Sequence, residues 1–150
     1  MPQSLVKLLI HAVFSTKNRA DLTTPEIEEG LFGYMHGITK NNKSKLIMAN
    51  GTANHVHLLI SLGKVISISE LIGDIKRSSS VWIKTPESQF KNFQWQEGYG
   101  AFSVGQTQVD DVIKYIANQK EHHQKKTFED EMREFYRKYE MEFDERYVWD

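Results

Sequence analysis

The chain has 150 residues, no cysteine and a formal net charge of −1. That length suits one domain with a buried core, and the lack of cysteine excludes disulfides and thiolate zinc sites and fits a reducing cytoplasm. Residues 1–127 hold fifteen bases against eleven acids and residues 128–150 four against nine. A mildly basic body with an acidic tail permits polyanion binding but does not predict it, because strong nucleic-acid binders usually show a denser basic patch.

Leu5 to Ser15 reads as a first strand, with Val6, Leu8, Ile10, Ala12 and Phe14 on one face and Lys7, Leu9, His11 and Val13 on the other. Its apolar run is too short to span a membrane, and no small-residue cleavage site follows, so neither a span nor a signal peptide is expected. Lys17, Asn18 and Arg19 form a polar turn. Thr24-Pro25-Glu26 has the cap, proline and acid of a helix start, and Ile27, Leu31, Tyr34, Met35 and Ile38 follow at helical spacing up to Asn41-Asn42. Lys45 to Ala49 is a short strand, and Asn50-Gly51 is a hairpin turn signal.

The next strand, Asn54 to Leu62, carries the most informative pattern. Val56, Leu58, Ile60 and Leu62 share one apolar face, while His55, His57, Leu59 and Ser61 share the other. The histidines therefore look away from the core, where adjacent same-face imidazoles can hold one divalent metal ion. Taken alone, the pair is better met by two solvated or hydrogen-bonded histidines on a half-exposed strand. His11 points to the corresponding side of the first strand.

Ser67-x-x-Glu70 is a capping box opening a helix with Ile68, Leu71, Ile72, Ile75, Trp82 and Ile83 as its stripe and a stop at Pro86. Lys76, Arg77 and Ser78 to Ser80 make either a solvated face or a phosphate-contacting patch. In the aromatic, glycine-rich stretch from Phe90 to Gly105, Trp95, Tyr99 and Phe102 either stack on unpaired bases or pack in the core, the latter being the better fate for Trp95; Phe102 to Val104 is a strand. Val109 to His122 is a helix with Val109, Val112, Ile113 and Ile116 inward and Tyr115, Gln119 and His122 on a separate stripe. Phe128 to Phe143 is a final charged helix, followed by the aromatic tail Arg146-Tyr147-Val148-Trp149.

The order strand, helix, strand, strand, helix, strand predicts an α+β, ferredoxin-like (RRM-like) antiparallel sheet with helices on one face and the histidines on an open face. The C-terminal tyrosine-bearing helix has to lie against that open face for Gln119 to reach the pair. Residues 1–127 form the main domain, and residues 128–150 a helix and aromatic tail packed on it.

Phe14-Ser15-Thr16-Lys17-Asn18-Arg19, His55-Val56-His57-Leu58-Leu59-Ile60, Trp95-Gln96-Glu97-Gly98-Tyr99-Gly100-Ala101-Phe102, Tyr115-Ile116-Ala117-Asn118-Gln119 with His122-His123, and Asp144-Glu145-Arg146-Tyr147 resemble, in order, one known family. It is the HUH-type transposases with a single catalytic tyrosine, of the insertion-sequence 200/605 kind, including the repeat-associated tyrosine transposases. The resemblance covers nearly the whole chain. Asn54 departs from it, since relatives often carry an aspartate there.

The resemblance implies a DNA transposase that cleaves and rejoins single-stranded DNA by metal-assisted transesterification, with His55, His57 and Gln119 on the ion and Tyr115 forming a 5′-phosphotyrosine intermediate. Imidazole with an amide oxygen suits Mg2+ or Mn2+. The expected partners are single-stranded DNA with a hairpin and a second copy of the chain, since similar transposases pair one chain's tyrosine helix with the other's histidines. Lys17, Arg19, Lys76, Arg77 and Tyr99 are candidate nucleic-acid contacts, and His11, Asn54 and His122 candidate supports around the metal. A cytoplasmic protein is expected. The competing readings are a non-catalytic (domesticated) single-stranded nucleic-acid-binding domain of the same fold, a zinc hydrolase, for which no third histidine or carboxylate stands at useful spacing, and a replication or relaxation nuclease with the same site.

Overall fold

In the computed structural model, which describes residues 2–21, 23–84 and 90–150, alternating apolar side chains build four strands: β1 (Leu8–Ser15), β2 (Lys45–Thr52), β3 (His55–Leu62) and β4 (Gly100–Val104). They pair antiparallel in the order β2-β3-β1-β4. Helices α1 (Pro25–Asn41) and α2 (Ile68–Ile83) connect them in the βαββαβ order of the ferredoxin-like fold. Leu31, Met35 and Ile38 of α1 and Leu71, Ile72, Ile75 and Ile83 of α2 meet Ala12, Phe14, Val56, Leu58 and Ile60 of the sheet in the main core. Trp95 joins that core, its ring edge-on to Phe14 and Phe93 and its Nε1–H donating to Ser79 Oγ at 3.0 Å. Ser67 Oγ accepts from the Glu70 amide at 3.1 Å, so Ser67 caps the start of α2 as expected, but the Glu70 carboxylate accepts from the Ser67 hydroxyl at 2.9 Å rather than from its backbone N–H, the second arm of the expected box. The expected stop at Pro86 lies outside the described residues.

The second face is not open. It is covered by α3 (Val109–Ala117), α4 (Gln119–His122) and α5 (Phe128–Lys138). Ile116 packs on Leu9, Leu59 and Val104, while Phe128, Met132 and Tyr136 pack on Val13 and Phe102.

Several boundaries differ from the sequence reading, each for a local reason. β1 starts at Leu8, because Leu8 pairs with Leu62 at the end of β3 and, among the described residues, Leu5 and Val6 have no partner strand. The hairpin turn is Ala53-Asn54, since Gly51 pairs with Val56 and Thr52 with His55. Gly51 serves close backbone approach instead: a Cβ there would overlap the His55 carbonyl oxygen. The tyrosine helix is broken at Asn118 (φ −95°, ψ 16°). The Asn50 side-chain amide donates to the Ile116 and Ala117 carbonyls at 3.0 and 3.2 Å, capping the end of α3. α5 stops at Lys138, where Glu140 adopts φ 55° and the Met141 amide turns back to the Tyr136 carbonyl at 2.8 Å.

Candidate metal and tyrosine site

His55 and His57 face away from the α1/α2 core, as the alternation predicts, yet they are 1% and 0% exposed because α3 to α5 close over them. The Ala53-Asn54 turn sets the orientation of His55. Its Nδ1 lies 2.8 Å from Asn54 Oδ1 and 2.9 Å from Thr52 Oγ1, while the amide nitrogen of Asn54 donates to the Arg19 carbonyl at 3.4 Å. An amide oxygen only accepts, so His55 Nδ1 carries the proton and Nε2 keeps a lone pair. That lone pair faces Gln119 Oε1 at 3.4 Å and Glu131 Oε1 at 3.6 Å.

Three electron-rich atoms thus converge with no proton between them. Burial, followed by the neighbouring His57 and His123, lowers the His55 pKa to about 3, so the ring stays neutral. A cation is what such an arrangement fits, and neutral imidazole is the ligating form.

His57 is held from behind by His11, whose Nε2 lies 2.8 Å from His57 Nδ1. Burial, then His57, lowers His11 to about 3, and burial also lowers His57. His57 Nε2 points forward at Glu131 Oε1, 3.0 Å away. Gln119 is fully buried; its amide nitrogen donates to the Tyr115 carbonyl (3.4 Å) and to Glu131 Oε2 (3.2 Å), turning its oxygen towards His55. The Tyr115 hydroxyl donates to Glu131 Oε2 and has His122 Nε2 at 3.5 Å. Burial, then the Glu131 charge, pushes the Tyr115 pKa above its ordinary range.

Two inward residues escape the sequence reading. His123, rather than His122, completes the imidazole group, with Nε2 2.9 Å from Glu131 Oε1. Four residues after Gln119, it stacks on the same helical face, which is the signal that would have found it. His122 stays nearer the surface, its Nε2 3.7 Å from Glu131 Oε2. Glu131 is the second: it is an acid on the apolar stripe of α5, between Phe128 and Met132 on one side and Phe135 on the other. It is 1% exposed. Burial alone would raise its pKa, but hydrogen bonds from His123 and His57, with those from Tyr115, hold the carboxyl well below the usual range. The ligating atoms of His55, His57, His123 and Glu131 all lie within 4.8 Å of one another, a donor set that fits a divalent cation.

The candidate nucleic-acid contacts divide. Lys17, Lys76 and Arg77 line one cleft with Gly73, Ser80 and residues 94–97. Lys76, however, is not a free phosphate donor. Its Nζ donates to the carbonyls of Gln96, Glu97 and Gly98 at 3.0, 3.2 and 2.6 Å, and burial lowers its pKa to about 8. Tyr99 lies beneath it, with the ammonium 5.7 Å from the ring centre. Arg19 turns to the other side, pairs with Glu129 at 3.9 Å and donates to the Trp149 carbonyl. There it borders a second cleft with Asn54, Lys120, His123 and Lys126.

Residues 4–119 match the family described as Transposase IS200 like. The chain belongs to this transposase family. No curated protein matches it significantly. Two solved structures share its fold. One is a provisionally assigned transposase of Deinococcus radiodurans R1, 22% identical, with a TM-score of 0.58 over 79% of this chain and 98% of that one. The other is a REP-associated tyrosine transposase bound to a REP hairpin, 13% identical, with a TM-score of 0.59 over 79% and 70% of the respective chains. No described helix is long and apolar enough to cross a membrane.

Proposed function

We propose that the chain cleaves and rejoins single-stranded DNA by transesterification, with Tyr115 as nucleophile and His55, His57 and Gln119 as ligands of a divalent ion. The observation that carries this reading is the convergence, within one chain, of the His55 lone pair and the Gln119 oxygen beside a phenol hydroxyl. A bound divalent ion would offset the charge that develops on the scissile phosphate.

The chain's own residues supply the rest. Tyr115 Oη forms a new bond to phosphorus, and the bond from phosphorus to the 3′ oxygen breaks, leaving a 3′-hydroxyl and a 5′-phosphotyrosine. The energy of the phosphodiester is retained, so rejoining needs no nucleotide hydrolysis. A tyrosine hydroxyl with a raised pKa must hand over its proton as it attacks, and the nearest acceptor is Glu131 Oε2, with His122 Nε2 next. His11 and Asn54 hold the two imidazoles from behind. Asn54 does so as a neutral amide, without the charge an aspartate would bring.

The hairpin bound by the REP-associated neighbour makes a single strand with a hairpin the first substrate to test. His123 and Glu131 now supply the third and fourth donors that a zinc hydrolase would need, but a hydrolase would use the phenol at most as a hydrogen-bond donor, so a covalent adduct on Tyr115 decides between the two. A pool of 3′-labelled hairpin oligonucleotides with randomised flanks, incubated with Mn2+ and run on a denaturing gel, should yield a labelled protein adduct. Tyr115→Phe should bind DNA and form none. Adduct formed by that variant would remove the mechanism.

A further inference from the structure

The carboxylate of Glu131 comes from α5, beyond the segment matched by the family, yet it stands at the centre of the site. Its Oε1 lies 3.0 Å from His57 Nε2, 2.9 Å from His123 Nε2 and 3.6 Å from His55 Nε2. Its Oε2 faces the other way, accepting from Tyr115 and Gln119. A buried carboxylate on an apolar helix stripe is costly unless fully paired. Here every neighbour of the carboxylate is itself part of the candidate site.

We propose that Glu131 and His123 are ligands of the divalent ion, so that α5 completes the metal centre from within the same chain. This rests on the metal-dependent reading above and extends it. Oε1 is the ligand atom, leaving Oε2 to position the Tyr115 hydroxyl next to the ion. One carboxylate then ties the metal to the nucleophile. The donor set also changes the choice of metal. Two imidazoles and an amide oxygen leave Mg2+ and Mn2+ comparable, whereas adding a third imidazole and a carboxylate to them favours the transition ion, because Mg2+ prefers oxygen ligands and retained waters. The centre therefore selects Mn2+ over Mg2+.

The test is metal binding to the full chain without DNA, by titration calorimetry and by Mn2+ electron paramagnetic resonance, on wild type, Glu131→Gln, His123→Ala, His55→Ala and the surface control Glu134→Gln. Glu131→Gln and His123→Ala should each weaken Mn2+ about 10–100-fold, with Glu134→Gln unchanged. Wild type should hold Mn2+ at least about tenfold more tightly than Mg2+. Circular dichroism without metal checks that each variant folds; should Glu131→Gln not fold, Glu131→Asp retracts the carboxylate by one methylene while keeping its charge, and should weaken Mn2+ likewise. If Glu131→Gln binds Mn2+ as tightly as wild type or more tightly, while His55→Ala loses it, Glu131 competes with the ion and the inference is overturned alone. If His55→Ala binds Mn2+ unchanged, the metal reading under Proposed function fails and takes this inference with it.

Discussion

At the scale of single residues, the buried histidines govern how the fold meets acid. His11 and His55 have pKa values lowered to about 3 from 6.5, and His57 is lowered too, burial being the largest cause in each. Above pH 6.5 these rings are neutral in both folded and unfolded chains and contribute nothing to the pH dependence. As pH falls below 6.5, the unfolded chain takes up protons that the folded rings refuse, so stability drops by on the order of 1 kcal/mol per pH unit for each histidine. Glu131, ionised when folded, adds a further loss once pH falls below its ordinary 4.5. Thermal unfolding of the metal-free chain should show a clearly lower Tm at pH 5.0 than at pH 7.5; an unchanged Tm would mean the rings are not buried as described. Much of the candidate site's geometry was legible. The period of two separated His55 and His57 from the core, and the four-residue spacing joined Tyr115 to Gln119. His123 obeys the same spacing, one turn beyond Gln119. Glu131 was not legible as a partner of the histidines, because nothing local links an acid on α5 to a strand more than seventy residues earlier.

Among the elements, the β2–β3 hairpin shows why a strong local signal was misplaced. Asn50-Gly51 has the composition of a tight turn, but Asn50 is used by another element and Gly51 by the strand ladder. Asn50 caps the carbonyl end of α3, and Gly51 lets two backbones approach. The turn slides to Ala53-Asn54, which is what brings the Asn54 oxygen to His55. Gly51→Ala should therefore cost about 3 kcal/mol, since the obstacle is backbone rather than a flexible side chain. Chemical denaturation would read this as a lower midpoint with unchanged m-value; wild-type stability would show that the approach is not close. The break at Asn118 has the same origin, a side chain from another element taking carbonyls that a continuous helix would use.

For the whole molecule, the βαββαβ pattern announced the sheet and its main core, but not the roof over its second face. That roof depends on α5 and the aromatic tail docking back, with Trp149 near the Phe128 and Tyr136 rings and under the Arg133 guanidinium. The docking places Tyr115 beside the histidines of its own chain, their ring centres 5.9 Å apart for His57. A mixture of His55→Ala and Tyr115→Phe proteins should thus recover no adduct, whereas recovery would show that two chains share each site. The most direct measurement is mass spectrometry of the digested adduct formed with single-stranded DNA and Mn2+. The expected result is a nucleotide mass on Tyr115 within the tryptic peptide Tyr115–Lys120; the same mass on any other residue, with Tyr115 unmodified, would contradict the account.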